Sequence, residues 1–235
     1  MKENEFRSFL KQKKKSDATI NSYINRVKTF EDYLTTKNKG LDEVTREDIE
    51  DFAFVWGKEQ GLNTYQYLWG VQYYYWYTDD LTLHKTANEI KELVQLEKYN
   101  LRDFQNVNKE YVKMLASIGL RTASQILEKG KNPIRRAELA KQSGVPLDYI
   151  IELVKLSNLA RIGGLKKKRA RLFFDAGLDT LDKIASWDAN ELMEMLSEFV
   201  SRTGFQGSPS NLSETKHTVS MAKFLRRIVE YRVVF

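Results

Sequence analysis

No cysteine occurs in the 235 residues, which excludes disulfides, thiol nucleophiles and cysteine-based zinc sites. Histidine is nearly absent: His84 and His217 are the whole supply, leaving little for imidazole chemistry. Three prolines and twelve glycines favour long regular elements over loops. No apolar run approaches the roughly 18 residues that a membrane-spanning helix needs. The first residues, MKENEFRSFLKQKKK, are charged and lack the apolar stretch of a signal peptide, so a cytoplasmic protein is expected. There is no glycine-rich phosphate loop of the nucleotide-binding type, no His-Glu-x-x-His pair and no EF-hand loop. The carboxylates at Asp79–Asp80 and in residues 47–51 are better explained by helix capping and solvated faces than by a metal. Neither cofactor nor metal is expected.

What is present is a helical pattern and an uneven charge. Hydrophobic residues make up 42% of the chain, enough for a core. The net charge is +6. Residues 1–100 hold 15 Lys/Arg against 17 Asp/Glu, and residues 101–235 hold 23 against 15. The second part can therefore attract polyanions as a whole, whereas the first can do so only through a local patch.

Ile20, Tyr23, Ile24, Val27, Phe30 and Leu34 recur at spacings of three and four, the signature of one buried helix face. Ser16 or Asp17 can cap that helix, and the stretch Asn38–Gly40 ends it. Thr45 with Asp48 suits a capping box for the next helix, closed by Gly61. Asn63 or Thr64 opens the aromatic segment TYQYLWGVQYYYWYTDD, and Asp79 or Asp80 leads into a helix reaching about Tyr99. The tyrosines and tryptophans of that segment have two readings, base stacking or an aromatic core helix. The core reading is preferred. Beyond Tyr99 the helices become short, with stops at Gly119, Gly130, Gly144, Gly163, Gly164 and Gly177. Residues 206–215 read as a loop, and a last helix is predicted from about Thr215 to the end, with Phe235 docking it. The fold class is all-α, divided at 1–99 and 100–235.

The second part repeats itself. FQNVNKEYVKMLASIGLRTASQIL from Phe104 aligns without gaps on IGGLKKKRARLFFDAGLDTLDKIA from Ile162. Lys109 matches Lys167, Gly119 matches Gly177, and Thr122 matches Thr180. Each copy reads as a tight turn, a helix of about ten residues, a Gly-Leu left-handed stop, and a threonine that caps the next helix.

The segment LVKLSNLARIGGLKKKRARLFFDAGLDTLDKIA resembles the second unit of an uncharacterised family of tandem helix-hairpin-helix domains, a likeness covering residues 102–228. Such units carry an apolar-Gly-apolar-Gly hairpin and generally bind the DNA backbone without sequence preference. Gly164 stands at the first glycine position and Lys166 at the second; the first copy has Asn106 and Asn108 there. The resemblance implies that backbone amides at the hairpin approach a phosphate. Lys166, Lys167, Lys168 and Arg169, with Lys109 in the first copy, would add charge. Read from the residues alone, the same run could be a solvated helix face. Its place at a predicted helix start, where cations oppose the helix dipole, favours a bound anion.

Residues 5–78 resemble the SAM-like core-binding domain of tyrosine recombinases and phage integrases. The likeness lies in SDATINSYINRVKTFEDYL, LDEVTREDIEDF and GLNTYQYLWGVQYYYWY. It implies a duplex contact at the starts of two helices. Lys13, Lys14, Lys15, Thr19 and Arg26 would face the backbone at one, and Asn63, Thr64, Gln66 and Tyr67 at the other. The recombinase catalytic half is not legible: no His-x-x-Arg with a downstream isolated tyrosine occurs, and His217 is followed by Thr-Val-Ser.

These features point to a non-catalytic, sequence-tolerant binder of duplex DNA, an accessory or architectural factor in recombination or repair. A protein–protein adaptor, with another protein or a second copy as partner, is the alternative; a membrane partner is not expected.

Overall fold

The computed structural model describes residues 1–208 and 210–231. Among them there is no β-strand, only an isolated antiparallel bridge between Asn100 and Thr122. No described helix is long and apolar enough to cross a membrane. The fold is all-α. The chain divides into two compact units, Met1–Gln95 and Leu96–Phe235.

The first unit begins with α1 (Glu3–Gln12) and α2 (Asp17–Thr35). The Ser16 hydroxyl accepts the Thr19 amide at 3.3 Å and so starts α2. Asn38 ends the following turn at φ +55°. The Thr45–Asp48 capping box then opens α3 (Arg46–Asp51). That helix runs through a π-helical turn, Phe52–Trp56, into α4 (Gly57–Glu59). Two long helices follow, α5 (Thr64–Tyr77) and α6 (Leu81–Leu96). Asp80 caps the latter by accepting the Leu83 amide.

The apolar stripe of α2 lies along α5, so Ile20, Ile24, Val27, Phe30 and Leu34 are all buried. Gly70 permits the close crossing: a Cβ there would lie 2.9 Å from Arg26 Cβ and from the Tyr23 carbonyl. The aromatic segment is indeed a helix, and its rings belong to the core. Tyr74 and Tyr75 are buried, while Tyr65, Tyr67, Trp69, Tyr73 and Tyr77 pack against the core cluster. Only Trp76 is counted as exposed among the eight aromatics of that helix.

Lys91 of α6 is buried, with only 1% of its surface exposed. Its Nζ sits 3.4 Å from the centroid of Trp69 and donates to Gln72 Oε1 at 2.8 Å and Asn88 Oδ1 at 2.9 Å. Burial penalises the ammonium and pulls its pKa down to about 8.

Among its described residues the second unit consists of a 3-10 turn, Leu101–Asp103, and eight helices. These are α7 (Lys109–Ser117), α8 (Ala123–Lys129), α9 (Pro133–Ser143) and α10 (Leu147–Leu159). They continue with α11 (Lys166–Asp175), α12 (Leu181–Ala185), α13 (Ala189–Thr203) and α14 (Leu212–Phe224). The internal repeat is structural. Gly119 and Gly177 take φ +87° and +84°, ending α7 and α11. The amides of Leu120 and Leu178 then return to the carbonyls of Leu115 and Phe173. Thr122 and Thr180 cap α8 and α12 by accepting the amides of Gln125 and Lys183. The turns before α7 and α11 correspond as well, with Asn106 at φ +57° and Gly164 at φ +93°. They differ two residues on: Asn108 has φ −70°, whereas Lys166 is held at φ +51°.

The last helix departs from the sequence pattern. Asn211 and Glu214 form a capping box, so α14 starts at Leu212 instead of Thr215. It ends at Phe224 instead of running to the terminus, and the chain continues as an extended segment to Tyr231. Tertiary partners take the hydrogen bonds that a helix would have used. The Glu230 amide donates to the Lys131 carbonyl, Arg161 Nη1 to the Arg226 carbonyl, and Arg136 Nη2 to the Glu230 carbonyl. Phe235 lies outside the described residues.

Two expected outcomes follow from these local environments. The unfolded chain binds a proton at Lys91 up to the ordinary lysine range near pH 10, whereas the folded chain releases it near pH 8. Stability therefore rises between about pH 8 and pH 10. Above that it falls again, as tyrosines held protonated by burial, such as Tyr33 at about 12, ionise on unfolding. Thermal melts across this range should show the rise in the native chain and not in Lys91→Met; identical profiles would refute it. At the other position, Lys166→Gly relieves a left-handed backbone and should stabilise the protein by about 1 kcal/mol in urea unfolding.

Candidate nucleic-acid interface

The basic run 166–171 starts α11 directly after a turn that no side chain caps: Leu165 occupies the N-cap position without a capping bond. Its five cations part into three environments. Lys166 and Lys168 are exposed and make no ion pair among the described residues. Lys167 donates to Asp103 at 2.9 Å and lies over the Tyr99 ring; Arg169 donates to Glu214 at 3.0 Å. Arg171 is buried and structural, donating to the Gln105 carbonyl and to Glu152 and Asp175.

Lys166, Lys168 and Arg169 border an open cleft of about 710 Å³. Gly163 and Gly164 form one part of its wall, and Ser213, Glu214 and His217 from the start of α14 form another. The cleft thus joins the starts of two helices, where the helix dipole favours negative charge. Glu214 already meets that preference at the start of α14 and competes with any further anion. The Arg169 guanidinium and the Asn211 amide hold its carboxyl below the usual range, so it stays ionised.

The first hairpin is closed. The Asn108 side chain accepts the amides of Glu110 and Tyr111 at 3.0 and 3.2 Å, and the Asn108 amide donates to the Tyr149 hydroxyl at 2.6 Å. The Asn108, Glu110 and Tyr111 amides are thus satisfied within the protein. Asn106 and Lys109 are exposed beside them. Asn108 is thus the N-cap of α7, whereas Asn106 keeps the left-handed turn that Gly164 makes in the second copy.

In the first unit, the cations expected near the start of α2 lie largely on aromatic rings. Lys13 Nζ is 4.0 Å from the Trp76 ring centroid, and Lys15 Nζ is 4.7 Å from that of Tyr73. The Tyr73 hydroxyl interacts with Lys15 and holds its ammonium above the usual lysine range. Arg26 leans on Tyr23, and the Thr19 hydroxyl pairs with that of Ser16 at 2.9 Å. Lys14 is exposed in a left-handed turn at φ +56°.

At the start of α5, Asn63 and Gln66 are exposed and Tyr67 packs on Phe52. Thr64 does not belong with them. It is 4% exposed, and its hydroxyl donates to the Ala53 carbonyl inside the π-helical turn. A polar residue at a helix start looks the same in sequence whether it faces solvent or stitches a neighbouring helix.

Sequence reasoning overlooked Ser213, Glu214 and His217 as cleft residues. The Asn-x-x-Glu signal of a capping box was available at residues 211–214, but the fold-back of α14 onto the α11 turn has no local signature. Among the described residues no group of three or more His, Cys, Asp or Glu side chains is placed to hold a metal ion.

Two family models match the chain. One, described as the phage integrase N-terminal SAM-like domain, covers residues 4–64. The other, described as a domain of unknown function (DUF4332), covers residues 105–225. No curated protein and no solved structure matches. More than half of the chain, including the cleft between α11 and α14 and all of the two repeat copies but Phe104, thus lies within one match, and the chain belongs to the DUF4332 family, with an integrase-type SAM-like domain ahead of it.

Proposed function

We propose that this chain is a non-catalytic, sequence-tolerant DNA-binding protein that grips the phosphate backbone at the turn between α10 and α11. The observation that carries the proposal is the uncapped start of α11, flanked by the unpaired Lys166 and Lys168 and opening on a basic cleft. A phosphate there would meet backbone amides and two lysines without first displacing a side-chain cap. The integrase-type SAM-like domain supports a DNA-related role, as in an accessory or architectural factor in recombination or repair. Backbone contacts position a protein without reading sequence, which suits sequence-tolerant binding, and duplex is the form that the SAM-like domain's resemblance implies. An adaptor would need an exposed contact surface, and the aromatic helix α5 is largely packed into its own core.

Affinity for a short duplex, followed by fluorescence anisotropy, should fall linearly with salt on logarithmic axes. The slope is about 0.9 for each phosphate neutralised. Replacing both free cations, as Lys166→Gly with Lys168→Ala, should flatten that slope by about 2 and weaken binding severalfold at moderate salt. Single-stranded and branched DNA run beside the duplex report which form is preferred. An unchanged slope in the double variant would remove the α11 turn from the interface.

A further inference from the structure

A second group of cations, outside the repeat motifs, lies close to the α11 turn. Arg171 donates from within α11 to the Gln105 carbonyl, fixing the first hairpin against this helix. One turn earlier, Lys167 donates to Asp103 Oδ2 at 2.9 Å, and the other oxygen of that carboxylate lies 3.8 Å from Arg102 Nε. Arg102 is 77% exposed. The backbone then places Arg121 beside it: Asn100 bridges Thr122, and the Leu101 amide donates to the Arg121 carbonyl at 2.8 Å. Arg102 and Arg121 border one cleft of about 290 Å³, and Arg121 has no acidic partner among the described ion pairs.

We infer that the second unit presents a single basic track to the DNA backbone, running from Lys166 and Lys168 past Lys167 to Arg102 and Arg121, with Asp103 as a built-in competitor for its middle. This rests on the DNA-binding reading above and extends it to residues that no hairpin motif contains. Among the described residues the Asp103 carboxylate caps no helix, and its ion pairs are with Lys167 and Arg102. Its carboxylate occupies Lys167 and Arg102 until a phosphate replaces it, so it lowers affinity while keeping both side chains oriented. Exposed ion pairs of this kind are weak enough to exchange partners. A duplex is the fitting occupant, because successive phosphates along one strand can engage successive cations.

The test measures salt-dependent duplex binding for four forms of the full chain, each first checked for a cooperative thermal melt no lower than that of the native chain. Removing both exposed arginines, as Arg102→Ala with Arg121→Ala, should flatten the logarithmic salt slope by about 2. Asp103→Asn frees two cations while keeping the side-chain shape; it should tighten binding severalfold and steepen the slope by about 1. A tighter-binding variant cannot arise from misfolding. If the arginine variant keeps the native slope while Lys166→Gly with Lys168→Ala flattens it, the track is refuted and the hairpin reading stands. If Asp103→Asn binds no better than the native chain, the competitor role is refuted. If the native chain shows no salt-dependent binding to duplex, both readings fall together.

Discussion

The first amides of a helix have no partner inside it, and every helix start must find one outside. In the second unit this constraint separates two otherwise corresponding turns. Before α7 the Asn108 side chain supplies the acceptors, and the Asn108 amide itself turns to Tyr149. Before α11 the N-cap residue is Leu165, which can supply nothing, and Lys166 follows in a left-handed conformation. The same chain reversal is therefore self-satisfied in one copy and open in the other. Duplicated sequence gives the unit its framework, and the identity of the residue at the cap position gives it one receptive end.

Charge in this unit is managed by competition as much as by accumulation. Of the cations in the run 166–171, Arg171 is enclosed and serves the fold, Lys167 and Arg169 are paired with carboxylates from elsewhere in the unit, and Lys166 and Lys168 are unpaired. The carboxylates are partly exposed, so each pair is a modest, screened interaction and leaves the lysines and arginines exchangeable. A net positive charge over residues 101–235 does not by itself describe this arrangement.

Buried guanidinium groups provide the rigidity behind the open turn. Arg136 and Arg161 are almost completely enclosed and direct their donors at main-chain carbonyls, those of Gly130 and Glu230 for Arg136 and that of Arg226 for Arg161. An enclosed cation demands such partners, because leaving it unsolvated and unbonded costs several kcal/mol (order of magnitude). The extended segment that follows α14 supplies two of them. Its conformation is thus dictated by what it must satisfy, and α14 is held where its first turn can line the cleft beside α11.

Periodicity alone settled the helical class, the stripe of α2, the repeat, and the left-handed stops at Gly119 and Gly177, because each rests on spacing or on a residue whose backbone freedom is intrinsic. It also assigned the aromatic segment to a core helix. Three things needed the assembled structure. Thr64 turned inward because a π-helical turn brought the Ala53 carbonyl within reach. The helix predicted from about Thr215 to the end stopped at Phe224 because carbonyls beyond it accepted from arginines far away in sequence. Finally, which of the neighbouring cations in the 166–171 run stayed unpaired depended on where Asp103 and Glu214 came to lie. A helix reports its own period, but the partners of its polar ends come from elsewhere in the chain, and only folding brings them near.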